Sequence, residues 1–167
     1  MATSWRAVNS GLPSGNLGVS VSAMAVDPKN TGTLYAASGG GLFKSMDGGA
    51  RWSDAGLTQQ SYALAIDAQN TSTVYAATAS GLFKSTDGGA SWRNLIAINV
   101  YSVAINPRKP STVYAGTDDG VAKSTDGGDS WTPIPGGPGR IRLLALDPQE
   151  SDTVYAGGPG GLFAISF

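Results

Sequence analysis

The chain has 167 residues, the size of one domain, with 14% charged residues, a net charge of −1 and 24 glycines. That near-neutral balance offers no basic field for nucleic acid, and no apolar run approaches the ~18 residues of a membrane span. Histidine and cysteine are both missing, which removes thiol nucleophiles, serine–histidine triads, and zinc, haem and iron–sulfur ligation.

In chain order, the N-terminus MATSWRAV has no charged-then-apolar leader, and a strand is expected over Ser4–Val8. After the loop Asn9–Ser20 comes the run SAMAV, a DPKNTG turn, TLYAAS, GLFKS, a turn SMDGGARW, and a strand starting at Trp52. The same succession returns as YALAI, TVYAAT, GLFKS, STDGGASW with Trp92, and as YSVAI, TVYAGT, GVAKS, STDGGDSW with Trp131. A fourth pass, RLLAL, TVYAGG, GLFAISF, reaches Phe167 in its third strand. Short runs bounded by Gly, Pro, Asn and Asp predict an antiparallel meander of four strands per unit. No segment has a helical period long enough to compete.

The repeat is plain. Tyr35, Tyr75, Tyr114 and Tyr155 recur in phase, and residues 27–52 share 17 of 26 positions with residues 67–92. A four-stranded unit of ~40 residues is the size of a propeller blade. The expected fold is therefore all-β: one β-propeller domain, 1–167, built of four blades. The units are approximately 17–57, 58–95, 96–135, and 141–167 completed by 2–8. Ser4–Trp5 aligns with Ser91–Trp92 and Ser130–Trp131, so the N-terminal strand is expected to complete the fourth blade and close the ring. Closure yields a four-bladed monomer or an eight-bladed ring of two chains. Four blades closing alone must each turn about 90°, two chains about 45° per blade, and the smaller angle favours the homodimer.

The turn S-x-D-G-G-x-x-W occurs three times: Ser45, Asp47, Gly48, Gly49, Trp52; Ser85, Asp87, Gly88, Gly89, Trp92; and Ser124, Asp126, Gly127, Gly128, Trp131. An aspartate can accept N–H groups of its own turn, and glycine supplies positive φ. One carboxylate per turn falls short of the six to eight oxygens of a calcium site, so the boxes are read as structural, with no metal and no cofactor. Trp5, Trp52, Trp92 and Trp131 share one repeat position and are read as core packing.

This pattern resembles the Asp-box, or bacterial neuraminidase repeat, of sialidases, xyloglucan-cleaving glycosidases and sortilin-like receptors. The wording DP, VYA, GLFKSTDGG-x-x-W resembles the xyloglucanases most. The resemblance implies a propeller, and export by kinship, while leaving activity open. A sialidase needs an arginine triad and a tyrosine paired with a glutamate; the one glutamate here, Glu150, lies in a turn position where the other units carry Asn30, Asn70 and Lys109–Pro110. Xyloglucanases resemble two facing propellers with one acid from each, a cleft a short propeller does not supply. No catalytic residues are assigned, and the chain is expected not to be an enzyme.

Binding is expected on the face whose loops differ between units. Counting back five from Asp27, Asp67, Asn106 and Asp147 gives Ser22, Tyr62, Tyr101 and Arg142, at the mouth of the central channel. Two before those same residues stand Ala25, Ala65, Ala104 and Ala145, read as packed interior. With Arg140 and the adjacent Asp118 and Asp119, the mouth forms a polar–aromatic set suited to a protein, peptide or small ligand. A glycan-binding or glycosidase-related module is the alternative.

Overall fold

The computed structural model describes residues 4–14, 16, 18–137, 139–148 and 153–167; Glu150 lies outside them. The apolar runs pair as four antiparallel sheets. Blade 1 joins β1 (Val21–Val26), β2 (Leu34–Ser38), β3 (Gly41–Ser45) and β4 (Ser53–Asp54). Blade 2 joins β5 (Ser61–Ile66), β6 (Val74–Thr78), β7 (Gly81–Ser85) and β8 (Arg93–Ile96). Blade 3 joins β9 (Val100–Ile105), β10 (Val113–Thr117), β11 (Gly120–Ser124) and β12 (Thr132–Pro133). Blade 4 has β13 (Leu143–Leu146), β14 (Thr153–Gly158) and β15 (Gly161–Ser166). The register repeats: Tyr35 faces Lys44, Tyr75 faces Lys84, and Tyr114 faces Lys123.

The core is divided into three layers, each between consecutive blades. Tyr35, Ala37 and Leu42 of blade 1 pack on Val74 and Ala76 of blade 2, with Trp92 against them. Tyr75 and Leu82 pack on Val103 and Val113 of blade 3, with Trp131 alongside. Tyr114 and Val121 pack on Val154 and Ala156 of blade 4. A sheet with one apolar face must cover it with another element, and here each blade is the cover of the one before. The innermost strands follow the same succession, β1 on β5, β5 on β9 and β9 on β13.

The first two joints are also fastened by polar groups. Tyr75 OH and Lys84 Nζ both donate to the Gly127 carbonyl of the next blade, at 3.0 and 2.8 Å. Tyr35 OH and Lys44 Nζ do the same at Gly88, at 2.9 and 2.8 Å. Each ammonium lies over its tyrosine ring, 5.4 Å from the centroid. Burial, then the carboxylates of Asp67 and Asp129, pushes the Tyr75 phenol up to about 12. At the third joint Phe167 takes the place of a turn: Lys123 Nζ lies 3.6 Å from its ring centroid, and Tyr114 packs beside it.

The D-G-G turns hold themselves. Asp87 Oδ1 accepts from Ser85 OH at 2.7 Å and from Ser91 N–H at 2.9 Å, while Oδ2 accepts from Ser91 OH. Ser85 Oγ accepts from Gly89 N–H at 2.8 Å. Asp126 and Asp47 repeat the pattern, Asp47 with Arg51 N–H. Gly48 and Gly49 need φ of +71° and +87°, where any side chain is strained. The DP turns are tied similarly: Asp27 Oδ1 accepts from Lys29 N–H and Asn30 N–H, and Asn106 Oδ1 from Arg108 N–H and Lys109 N–H.

Two expectations meet a different arrangement. Ser4–Val8 does not pair with β15 of its own chain: among the described residues blade 4 has three strands, Ser4–Val8 carries no strand, and Trp5 is fully exposed rather than packed. That segment lies against blade 1 instead, where the Val8 carbonyl accepts Trp52 Nε1–H at 2.8 Å. The inner-strand alanines are not a closed interior either. Ala25, Ala65 and Ala104 are half-buried, because the inner strands border the axis with nothing across it among the described residues. Ala145 is exposed, with no further blade packed on its own among the described residues.

Candidate functional site

The D-G-G and DP turns share one end of the array. Gly48, Gly88 and Gly127 N–H groups donate to Gly32, Ser72 and Ser111 carbonyls in the β1–β2, β5–β6 and β9–β10 connections. The β2–β3 type connections and the entries into the inner strands are left for the other end.

There, four of the expected residues come together. The Tyr62 and Tyr101 rings stack with centroids 5.8 Å apart and planes 20° from parallel. Both stand near the start of an inner strand, β5 and β9, so adjacent blades bring them side by side. Tyr101 OH donates to Asp118 Oδ1 at 3.0 Å, and Arg140 Nε donates to the same oxygen at 2.7 Å. The guanidinium carbon lies 5.4 Å from the Tyr101 ring centroid, in cation–π range. Asp118 sits in the β10–β11 turn and Arg140 in the link to β13, so the pair joins two loops of different blades.

The electrostatics follow from these contacts. The Arg140 guanidinium, then the Tyr101 hydroxyl, holds the Asp118 carboxyl below the ordinary carboxylate range. Desolvation, then the hydrogen bond to Asp118, raises the Tyr101 phenol, and Arg140 is raised by Asp118. The group therefore sets an ionised Asp118–Arg140 pair beside the stacked tyrosine rings. It can accept hydrogen bonds, donate through the guanidinium, and stack an apolar face.

The other expected residues stand apart from this cluster. Ser22 OH donates to the Ser61 carbonyl at 2.8 Å, tying blade 1 to blade 2 just before Tyr62. Arg142 lies beside Leu143 and Pro159 and acts on Tyr101 through its charge. Asp119 does not join Asp118; its backbone N–H donates to Thr117 Oγ1 within the turn. The residue missed in the sequence is Asn99, whose Nδ2 donates to Tyr101 OH at 2.7 Å and orients the phenol toward Asp118. Asn99 lies in the loop before β9 and Tyr101 at the irregularity in that strand's pairing, so strand alternation does not mark the pair in the sequence.

No family model and no curated protein sequence matches the chain. Among solved structures, an ancestral GH74 enzyme is similar at 28% identity and TM-score 0.72, over 81% of this chain and 21% of that one. The GH74 enzyme of Niastella koreensis is similar at 25% identity and TM-score 0.73, over 87% of this chain and 28% of that one. The computationally designed Ika4 protein is similar in fold, at 13% identity and TM-score 0.67, over 100% of this chain and 99% of that one. The chain thus spans less than a third of the GH74 enzymes it matches, and its fold is the β-propeller type those enzymes share.

Proposed function

We propose that this chain is a non-catalytic Asp-box propeller that binds a polar ligand, a peptide or small molecule, at the Tyr62–Tyr101–Asp118–Arg140 cluster. The observation that carries the reading is the Asn99–Tyr101–Asp118–Arg140 chain of hydrogen bonds beside a stacked tyrosine pair. Positions that are alike elsewhere in the repeat differ here, and the polar groups converge on one spot at the variable end. A second reading, that the ligand is a saccharide, is favoured by the likeness to GH74 enzymes, one of which is named a xyloglucanase. Tyrosine faces flanked by a carboxylate and a guanidinium suit a sugar ring as well as a peptide.

The test is calorimetric titration with xyloglucan oligosaccharides and with a peptide library, alongside an assay for released reducing ends. Tyr101→Ala and Arg140→Ala should each abolish the heat of binding while the melting temperature stays within a degree or two. Release of reducing sugar by the wild-type chain would refute the non-catalytic reading. Binding unaffected by both substitutions would refute the site.

A further inference from the structure

The two ends of the four-blade array are complementary halves of the same joint. On blade 4, Tyr155 and Leu162 hold the repeat positions of Tyr75 and Leu82, which are 1% and 0% exposed; Tyr155 and Leu162 are 41% and 77% exposed. On blade 1, Met24 and Val26 hold the positions of Val103 and Ile105, which pack on blade 2, yet Met24 is 61% exposed. Gly88 and Gly127 are each met by a tyrosine and a lysine of the blade before, while space beside Gly48 is open. Among the described residues, one end therefore has no following blade and the other no preceding one.

The N-terminal segment already stands where the fourth strand of that preceding blade belongs. Val8 O accepts Trp52 Nε1–H as Ala55 O accepts Trp92 Nε1–H. Val8 also stands beside Gly49 as Ala55 stands beside Gly89 and Leu95 beside Gly128. The strand is in place, its own β1–β3 counterparts are not, and Trp5 points into solvent. Blade 4, in turn, carries an unpaired β15 edge and an apolar cavity of about 170 Å³ lined by Ile134, Val154, Phe163 and Ile165 among others. Ile134, Val154 and Phe163 correspond to Ala55, Val74 and Phe83, the residues that pack with Trp92 in its blade.

We propose that a second copy of this chain closes the array: Ser4–Val8 of each copy adds to β15 of the other, and each Trp5 fills the cavity at the other's blade 3–blade 4 joint. The occupant is a second copy rather than the chain's own N-terminus because the joints set the turn between blades. The inner strands pack in succession, β1 on β5, β5 on β9 and β9 on β13, and with Met24 of blade 1 and Tyr155 and Leu162 of blade 4 left exposed, the described arc does not come round on itself. Two arcs of four meet head to tail twice, and a head-to-tail contact that closes gives a finite ring. Closure also covers the β15 edge, which otherwise templates aggregation. The register follows from the other blades, where Lys44 faces Ser53 and Lys84 faces Arg93: Arg6 faces Ala164 of the second copy. Tyr155 OH then reaches the second copy's Gly48 carbonyl, and Arg142 comes to lie next to its Ser22 around the channel mouth.

Light scattering on the 167-residue chain at micromolar concentration is expected to give twice 16.9 kDa. A single-chain mass, or a ladder of larger ones rising with concentration, overturns the proposal. Trp5→Ala should reduce the mass to one chain without changing the circular dichroism spectrum, since Trp5 touches nothing in the single chain; a retained double mass shows that Trp5 does not close the ring. The chain has no cysteine, so Arg6→Cys combined with Ala164→Cys reports register cleanly. Oxidation should give a disulfide-linked two-chain band on a non-reducing gel. A one-chain band without free thiol means closure within a chain, and free thiols mean a different pairing; either result refutes strand addition between copies.

Discussion

The joint between blades 2 and 3 turns on one buried acceptor. The Gly127 carbonyl takes Tyr75 OH and Lys84 Nζ on its two lone pairs. Tyr75→Phe removes one donor but keeps the ring in the layer with Leu82 and Val103. The acceptor stays satisfied, so the cost should be that of one ordinary hydrogen bond, about 1 kcal/mol, or a fall of roughly 2–4 °C in Tm for a chain of this length. Lys84→Met removes the other donor, keeps most of the stem, and should cost about as much or somewhat more, since its donor is charged. The double variant leaves a buried carbonyl with neither partner and adds a desolvation penalty of about 1–3 kcal/mol. The two substitutions should therefore be more harmful together than their sum, with a coupling of at least ~1 kcal/mol. Urea unfolding followed by tryptophan fluorescence, at one fixed protein concentration, gives all four stabilities. Strict additivity would refute the shared-acceptor account and reduce the tyrosine–lysine pair to two independent contacts.

Further outcomes follow from other groups. Hydrogen bonds from Ser91 and Ser85 hold the Asp87 carboxyl well below its usual range, and those from Ser130 and Ser124 do the same for Asp126. A depressed folded-state pKa gives stability that is present above the unfolded value near ~4 and lost as pH falls below it. Tm should therefore be level down to about pH 5 and fall steadily beneath pH 4, and Asp87→Asn combined with Asp126→Asn should flatten that fall. Ser102 Oγ is buried with no hydrogen-bond partner among the described residues, so Ser102→Ala should stabilise by about 1 kcal/mol in the same urea assay. Gly116→Ala should destabilise by roughly 1–3 kcal/mol, because its Cβ would come within 2.2 Å of Ser102 Oγ and 2.7 Å of the Ile141 carbonyl.

The blades were legible because each obeys local rules. Gly, Asp and Asn mark the turns, and Tyr35, Tyr75 and Tyr114 stand at the same register because each unit is the same meander. The joints were less legible. Tyr75 and Lys84 were visible as repeated residues, but their shared target, Gly127, is a backbone atom of another unit, and backbone acceptors leave no mark in residue identity. The Tyr62–Tyr101 neighbourhood was readable from phase alone. The Asp118–Arg140 pair was not, because it depends on how far two loops of different length reach. Trp5 is the opposite case: its repeat position assigns it to a blade core, while a single chain offers it none.

The donors at the first two joints contact main-chain carbonyls, Gly88 and Gly127, and not side chains. A unit carrying the tyrosine and lysine thus makes no demand on the identity of the unit after it, provided that unit has the glycine turn. At the level of the gene, the 17 identical positions between residues 27–52 and 67–92 are a substrate for unequal crossing-over. Such an event adds or removes one whole blade and leaves behind a joint of the same kind. Each seam thus tolerates a change of one blade, since stability in repeat arrays is a sum over units and nearest-neighbour seams, while the turn fixed at each joint decides which blade numbers close into a ring.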